Sequence, residues 1–367
     1  MSKPVAILCS GVALGVYIPA LLMNYQLKKQ NIPTEVMVLE NLIIDEKRQK
    51  INENKMAFHK SFQVALMGQK MARDVRPSLD AELLNGMFEH WKNDGIRDFI
   101  VFSGFWMPLI EDFKALISPE NINVEICHMD ADISASWKAV QGSCQSCNNI
   151  WLFSWEKKGL LYEMPVSSKK PVPFGERPNR YVIHGGGWGM GTYQSKIPEL
   201  KEKGFSLDIV AYDIKETLDR KDGDRYFMVD PAWSPWFKNK DGQHEFPMFG
   251  EILPPDIGST TFDNREEYHE LFDVISQCRA IISKPGGATL LDSLASATPI
   301  IMLDPFGKYE GKNAELWDYM VFGIPYDRWK EMNFSIDAIE KMHNNLLRTR
   351  GTLINYSKDY ARRLGME

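Results

Sequence analysis

Residues 283–314 read SKPGGATLLDSLASATPIIMLDPFGKYEGKNA, and the organisation of the whole chain can be worked out from them. A short apolar run ending at Ile282 is broken by Pro285-Gly286-Gly287. Apolar residues then recur at helical spacing over 288–297, and a second apolar run covers 299–303. The pattern predicts a strand, a turn, a helix and a second strand, which is the βαβ unit of an α/β sheet.

The turn and the helix after it carry residues that suit a nucleotide. A glycine turn that opens a helix leaves free N–H groups and the positive end of the helix dipole for an anion. Asp292, about two turns further on, could accept hydrogen bonds from a vicinal diol such as ribose. Glu310, Lys312 and Asn313 follow the next strand end, where open α/β sheets bind ligands. An ordinary buried βαβ unit has the same pattern, and the pattern alone leaves both interpretations open.

A second glycine-rich turn follows a predicted strand at 180–184. It reads GGGWGMGT from Gly185, with five glycines in seven residues, and a helix is predicted over 193–202. Glycine is entropically costly in such a position, so packing alone explains it poorly. We therefore interpret this turn as a place where backbone approaches a phosphate closely.

The beginning of the chain has the same plan. Residues 5–9 predict a buried strand, 10–15 a glycine-bearing turn, 18–29 a helix that begins around Pro19, and 35–40 a second strand. This is a Rossmann-like opening, although its glycine pair is a weak sign of nucleotide binding. Since 367 residues exceed what one core usually supports, we predict an α/β protein with two Rossmann-like domains facing a cleft.

Residues 283–314 resemble the nucleotide-sugar half of GT-B glycosyltransferases, in particular the group of the peptidoglycan lipid I N-acetylglucosaminyltransferase and the monogalactosyldiacylglycerol synthases. The family pattern is small-x-Gly-Gly/Ala-x-Thr-x-x-Glu, an apolar strand ending in Pro, and Asp-Gln-x-x-Asn-Ala. Here Asp292 stands in place of the ribose-binding Glu, and Glu310 in place of the sugar-contacting Gln.

The resemblance implies a set of site residues on each side of the cleft. On the donor side these are Gly185, Gly186, Gly187, Trp188, Gly189, Gly191, Ile252, Gly286, Gly287, Ala288, Thr289, Asp292, Glu310 and Asn313. On the acceptor side they are Gly11, Leu14, Gly15, Val16 and Tyr17. Val16 stands where the family motif Gly-Gly-x-Gly-Gly-His-x-x-Pro has its His, and valine cannot exchange a proton.

A general base is therefore expected elsewhere. The predicted strand over 124–127 ends in His128-Met129-Asp130-Ala131-Asp132, which gathers an imidazole and two carboxylates at a strand end. A His near a carboxylate can accept a proton near neutral pH, so His128 and Asp130 are the candidate catalytic residues. The other interpretation, that these side chains cap the strand and the following helix, stays open.

The resemblance predicts an acceptor-side domain over 1–164, a linker over 165–179, a donor domain over 180–342 and a final helix over 343–367 returning to the first domain. It implies transfer of a sugar from a nucleoside diphosphate, most naturally UDP, to a small-molecule, lipid or peptide acceptor, without a metal or other cofactor. The alternatives are a nucleotide-sugar epimerase or hydrolase of the same fold, or a partner protein that has lost catalysis.

Composition narrows the class of protein. A net charge of −6 argues against general nucleic-acid binding, which needs a basic face. The sequence lacks a run of about 18 apolar residues, so we predict no membrane-spanning helix. Five cysteines, an odd number, are more typical of a protein in a reducing cytoplasm than of a disulfide framework. We interpret Cys144 and Cys147 as structural, because a zinc site would need two more ligands. The basic tail is expected to be a solvated face, with weak peripheral membrane contact as the alternative; it contains Arg348, Arg350, Lys358, Arg362 and Arg363.

Overall fold

The structure, a computed structural model, describes residues 3–68, 74–140, 147–218, 220, 223–253 and 260–365. Its strands are β1 Val5–Cys9, β2 Thr34–Val38, β3 Asp98–Val101, β4 Asn123–His128, β5 Asn148–Trp151, β6 Phe153–Ser154, β7 Gly159–Leu160, β8 Tyr162–Glu163, β9 Arg180–His184, β10 Ser206–Val210, β11 Arg225–Val229, β12 Phe249–Glu251, β13 Ala280–Ser283, β14 Ile300–Met302, β15 Gly323–Pro325 and β16 Ile354–Asn355. Its α-helices are α1 Leu14–Lys28, α2 Asp45–Lys60, α3 Phe62–Gly68, α4 Ala81–Asn93, α5 Met107–Leu116, α6 Ala135–Lys138, α7 Tyr193–Glu202, α8 Leu271–Gln277, α9 Gly287–Ser296, α10 Gly307–Tyr319, α11 Tyr326–Glu331, α12 Ile336–Thr349 and α13 Tyr356–Arg363.

The first half of the chain forms a parallel sheet with the order β2-β1-β3-β4-β5 in its described part. All five residues of β1 are buried, as expected for an apolar strand covered on both faces. The strands are added in one direction from β1 to β2 and in the other from β3 onward, so the topological switch point lies between β1 and β3. In open α/β sheets, ligands bind in the crevice beyond the carboxyl ends of the strands at such a point.

The second half forms a larger sheet with the order β12-β11-β10-β9-β13-β14-β15 among the described residues. Its strands are parallel except β12, which pairs antiparallel with β11. The corresponding switch point lies between β9 and β13. The predicted α/β fold with two Rossmann-like halves is therefore confirmed.

The two switch points open onto one cleft of about 930 Å³. Residues directly after β1 line one wall, and residues directly after β9 and β13 line the other. Helix α1 of the first half packs on helix α9 of the second, beside this cleft. Each sheet thus presents its ligand-binding edge to the other.

The C-terminal helix α13 packs on the first half of the chain. The Tyr356 hydroxyl donates a hydrogen bond to Glu125 of β4 (2.9 Å), and Arg363 forms an ion pair with the same carboxylate (2.9 Å). Arg362 and Arg363 also pair with Asp359. Part of the charge in the basic tail is therefore balanced by carboxylates of the protein itself. Along the described residues, no helix combines the length and the apolar character needed to cross a bilayer.

Helix α1 begins earlier than predicted. The sequence places its start around Pro19, whereas the structure begins it at Leu14 and keeps the proline inside. Proline there removes one backbone hydrogen bond, which usually costs about 3 kcal/mol. Tyr17, Leu21 and Leu22 are all buried, and burying such side chains offsets that cost. Tertiary packing, which local sequence does not reveal, therefore decides where this helix begins.

Candidate active site

The glycine turn of the first half is closed by a buried carboxylate. Glu40, just beyond β2, accepts hydrogen bonds from the Ser10 hydroxyl (2.6 Å), the Gly11 N–H (2.7 Å) and the Val12 N–H (3.3 Å). Only 1% of Glu40 is exposed. The donors that a phosphate would need at this turn are therefore occupied by the protein itself.

The predicted acceptor-side residues divide into two groups. Gly11, Leu14, Gly15 and Val16 line the cleft. Tyr17 does not, because its ring is buried in the core and its hydroxyl donates to the Glu245 carbonyl oxygen (2.8 Å). At the one position where the family motif has a polar side chain, its His, this wall of the cleft has Val16.

The glycine turn of the second half has a shape that only glycine adopts readily. Gly186, Gly189 and Gly191 have φ of +71°, +57° and +121°, a region that L-residues with side chains avoid. A Cβ on Gly189 would also lie 2.4 Å from Cβ of Tyr212. Gly185, Gly186, Gly187 and Trp188 line the cleft, whereas Gly189 and Gly191 lie outside its lining. Gly189 and Gly191 are therefore needed for the conformation of the loop. Gly186 has a positive φ and also lines the cleft.

His184 closes β9 directly before this turn and was not among the predicted site residues. Its Nδ1 accepts the Gly186 N–H (3.1 Å), which leaves the proton of the neutral ring on Nε2. Nε2 is buried and has no hydrogen-bond partner among the described residues. Burial, together with the nearby charges of Lys284 and His269, lowers the pKa of His184 to about 3. The ring is therefore a neutral donor at the cleft wall.

The turn before α9 brings a cation and a carboxylate together. Lys284 Nζ lies 2.7 Å from Glu310 Oε1, and Glu310 Oε2 accepts the Phe306 N–H at 2.7 Å. Both Lys284 and Glu310 line the cleft, as does Gly286. Glu310 therefore lies where it was predicted, but its charge is balanced by a lysine that the sequence analysis did not single out.

Gly287 is required for the approach of the two halves. A Cβ at this position would lie 2.4 Å from the Met129 carbonyl oxygen of the first half. Gly287, Ala288 and Thr289 all line the cleft at the beginning of α9, whose first turn contains no acidic residue. The positive end of this helix dipole is therefore not neutralised by its own sequence.

Asp292 lies in the same wall, paired with a histidine. Its Oδ1 is 3.0 Å from Nε2 of His269, and both side chains are buried and line the cleft. Ile252, which was also predicted on the donor side, is buried outside the cleft lining. The donor wall thus contains most of the predicted residues, with two histidines and a lysine added.

Asn313 connects the halves rather than lining the cleft. Its Oδ1 accepts the Ala131 N–H (2.6 Å), and its Nδ2 donates to Asp130 Oδ1 (2.8 Å) and to the Pro285 carbonyl oxygen (2.8 Å). The side chain is fully buried. Its hydrogen-bonding capacity is used within the protein, which does not fit the predicted contact with the sugar.

Among the described residues of the first half, Asp130 is the carboxylate that lines the cleft. Burial raises its pKa to about 7, and the hydrogen bond from Asn313 opposes that rise. The nearby charge of Glu310 raises it further, whereas that of Lys284 lowers it. A carboxylate with a pKa near the working pH is suited to accept a proton.

His128 does not reach the cleft, contrary to the sequence prediction. Its Nε2 lies 2.8 Å from Oδ1 of Asn149, and its ring stacks on Trp151 with 3.9 Å between centroids. Burial lowers its pKa. Because β4 pairs with β5, the ring faces that neighbouring strand instead of the strand end. Asp130 is therefore the remaining candidate base of the two.

Comparison with known proteins finds no matching family model and no matching curated protein, whereas solved structures match over almost the whole chain. MurG of Acinetobacter baumannii is 11% identical, with 99% of each chain covered and a TM-score of 0.53. The glycosyltransferase SnogD of Streptomyces nogalater is 10% identical, with 100% of this chain and 99% of SnogD covered and a TM-score of 0.57. The fold is that of the GT-B glycosyltransferases. The spinosyn rhamnosyltransferase SpnG, solved with thymidine diphosphate, gives a TM-score of 0.53 at 9% identity, with 99% of this chain and 100% of SpnG covered.

An aromatic loop over 230–237 crosses the GT-B cleft from the second half to the first. The Trp236 carbonyl oxygen accepts the Asn41 side-chain N–H (2.8 Å), and Pro235 occupies the space that a Cβ on Gly11 would need. The loop therefore packs between the halves and also lines the cleft, since all eight of its residues belong to the cleft lining.

The residues that sequence reasoning missed in this GT-B site had only faint signals. His184 directly follows the apolar residues Val182 and Ile183 at the end of a strand, and Lys284 directly precedes the Pro-Gly-Gly turn. His269 and Glu40 have partners 23 and about 29 residues away in sequence, so no local pattern marks them. Cys144 of the Cys-x-x-Cys pair lies outside the described residues.

Proposed function

We propose that this protein transfers a sugar from a nucleoside diphosphate to an acceptor held against its first half. One observation carries the proposal: α9 presents in one wall of the cleft both a glycine-opened N-terminus, whose N-cap residue makes no side-chain hydrogen bond, and the buried carboxylate of Asp292. The first suits a phosphate and the second a ribose diol. The GT-B fold and the thymidine diphosphate bound to SpnG support the same assignment.

The diphosphate would lie against the second-half glycine turn and the beginning of α9. Nε2–H of His184 would donate a hydrogen bond to it, and Lys284 would supply a positive charge. Preorganised donors and charges of this kind stabilise the negative charge that develops on a departing diphosphate. We therefore propose that donor binding does not depend on a metal, with UDP or TDP as the nucleotide and Glu310 beside the sugar.

Asp130 would act as the general base. In its ionised form it would take the proton from the acceptor hydroxyl, amine or thiol while that group attacks the anomeric carbon. The bond from this carbon to the diphosphate breaks, and the diphosphate leaves with the bonding electrons. Since the pKa of Asp130 is about 7, the ionised form becomes the major one above neutral pH.

Nucleotide binding can be tested by thermal unfolding with UDP, TDP and GDP, each with and without EDTA. A nucleotide at a hundredfold excess over its Kd stabilises the folded state by about 2.7 kcal/mol. We expect UDP or TDP to raise the unfolding temperature equally with and without EDTA. No stabilisation by any of the three would contradict the proposal, and loss of the effect with EDTA would contradict its metal-independence.

The reaction class is tested by incubating the protein with the corresponding nucleotide sugars and no acceptor. A transferase should leave the donor largely intact over many hours, because its nucleophile is missing. Rapid release of free sugar would identify a hydrolase, and conversion into an isomeric nucleotide sugar would identify an epimerase.

A further inference from the structure

Lys55 of α2 points an ammonium group into the cleft between two indole rings. Its Nζ lies 4.6 Å from the ring centroid of Trp236 and 5.4 Å from that of Trp188. Both tryptophans are buried, and all three residues line the cleft. A cation held over aromatic faces is attracted to them without being neutralised.

No carboxylate among the described residues lies within ion-pair distance of Lys55. Lys284, the other lysine of the cleft lining, is instead paired with Glu310 at 2.7 Å. Glu40 is the carboxylate whose charge acts on Lys55, but its two oxygens already accept three hydrogen bonds from the first-half turn. Partial burial lowers the pKa of Lys55 to about 8, which reflects a poorly hydrated ammonium group. An unpaired cation in such surroundings is a ready site for an anion.

The surfaces around Lys55 are apolar. Trp188 stacks on Phe58 of α2 with 5.6 Å between ring centroids, and Met56 lies in the same part of the cleft lining. Flat aromatic faces of this kind bind flat or apolar bodies through dispersion and desolvation. The site therefore combines one positive charge with apolar walls, and this combination suits an amphiphilic anion.

Lys55 reaches the cleft from the first half, whereas both indole rings that surround its ammonium group belong to the second half. Helix α2 belongs to the first half, whereas the groups assigned to the diphosphate, Lys284 and His184, belong to the second. We propose that Lys55 binds the acidic group of the acceptor, and that the acceptor is an apolar or aromatic molecule carrying a carboxylate or a phosphate. The assignment of this anion to an acceptor rests on the proposed function, whereas the anion site itself does not.

The test uses 1-naphthyl phosphate and its neutral counterpart 1-naphthol, titrated calorimetrically in the presence of saturating UDP or TDP so that the donor site is filled. Wild-type protein should bind 1-naphthyl phosphate at least tenfold more tightly than 1-naphthol. Lys55→Met should remove this preference while leaving the affinity for UDP or TDP within twofold. Lys50→Met is the matched control, because Lys50 is on the same helix, exposed and paired with Glu46.

Equal binding of the two naphthyl probes to the wild-type protein would overturn the proposal. So would a Lys55→Met variant that keeps the preference, or one that loses nucleotide affinity instead, since the lysine would then belong to the donor site. If the wild-type protein binds no nucleotide but still prefers 1-naphthyl phosphate through Lys55, the anion site stands and the transferase function fails.

The two sources of such an anion can be separated with vesicles. A lipid acceptor would be supported if the wild-type protein sediments with phosphatidic acid vesicles but not with phosphatidylcholine vesicles, and if the Lys55→Met variant sediments with neither. A Lys55-dependent preference for 1-naphthyl phosphate without any sedimentation would support a soluble one.

Discussion

The turn after β1 and the turn after β9 occupy equivalent places in the two halves, but the side chains that contact them carry opposite charge. In the first, the buried carboxylate of Glu40 accepts the hydrogen bonds of the turn. In the second, His184 lines the cleft, accepts the Gly186 N–H and keeps a buried Nε2 without a hydrogen-bond partner among the described residues, and Lys284 lies beside Gly186. A glycine-rich turn therefore does not define an anion site by itself. The charge of the side chains that contact the turn determines whether an anion can bind there.

This difference assigns separate roles to the two walls. In the first half, Glu40 occupies the N–H groups of the turn, so we expect no phosphate at that turn, and the anion of the acceptor is assigned to Lys55 of α2 instead. In the second half, the glycine-opened N-terminus of α9 and the ammonium group of Lys284 suit a phosphate. Substitutions in the first half should then change turnover or stability without changing nucleotide affinity, and substitutions in the second half should do the reverse.

The largest expected effect is on turnover, from Asp130→Asn. Asparagine can still accept the hydrogen bond from Asn313 but cannot take a proton. Removal of a general base typically lowers the rate by about a hundredfold to ten-thousandfold. We expect that loss in the rate of nucleotide release with acceptor present, and nucleotide Kd within twofold of wild type.

The pH dependence sharpens this prediction. Wild-type turnover should rise as pH rises through about 7, because Asp130 is active when ionised and its pKa is raised to about that value. The Asp130→Asn variant should lack this rise, and the control Asp132→Asn should keep it. Introducing Val16→His should not restore turnover, since that position is not surrounded by groups that orient an imidazole. Full turnover in Asp130→Asn would show that another group, or none, deprotonates the acceptor.

The next effect is on stability, from Glu40→Gln. The substitution places an amide N–H₂ group where backbone N–H groups donate, so at least one buried donor loses its partner. Hydrogen bonds to charged groups contribute about 1.5–3 kcal/mol each. We expect the free energy of unfolding in urea to fall by about 2–4 kcal/mol, on that basis. Exposed Glu46→Gln serves as the control and should change it little. An unfolding free energy equal to that of wild type would mean that Glu40 does not hold this turn.

The smallest effect is on nucleotide binding, from Asp292→Ala. Loss of a charge-assisted hydrogen bond to the ribose should weaken binding by about 1–3 kcal/mol in calorimetry. Because Asp292 also contacts His269, Asp292→Asn is a useful second variant: it keeps an acceptor for the histidine and removes the charge. The surface variant Glu315→Ala should bind as wild type does. If both Asp292 variants bind normally, this carboxylate serves only to position His269.

The sequence predicted the backbone well where periodicity and glycine carry the information. Strand β9 and helix α7 begin and end where the pattern placed them, at Arg180–His184 and Tyr193–Glu202. The two halves, the turns and the helix carrying Asp292 were predicted for the same reason. Hydrophobic periodicity and turn-forming residues are local properties, and about ten to fifteen residues are enough to recognise them.

The direction of side chains could not be predicted in the same way. Whether His128 faces the cleft or β5 depends on Asn149 and Trp151, which follow about twenty residues later. Glu40 reaches the first turn because β1 and β2 pair with Cys9 opposite Val38. Such contacts depend on which strands become neighbours, and no local pattern specifies that. These contacts between neighbouring strands determine the charge of each cleft wall, and therefore which ligand groups the wall can bind.

Asn313 joins the two halves of the protein beside the cleft. Its amide holds Asp130 and Ala131 of the first half to Pro285 of the second, and the Met129 carbonyl oxygen packs on Gly287 beside it. Separation of the two halves would break these contacts and let water reach Asp130. Because burial is the main cause of its raised pKa, opening would return Asp130 toward an ordinary, weakly basic carboxylate. The strength of the base is thus tied to closure, so the protein is prepared to accept a proton only while its two halves enclose the reactants.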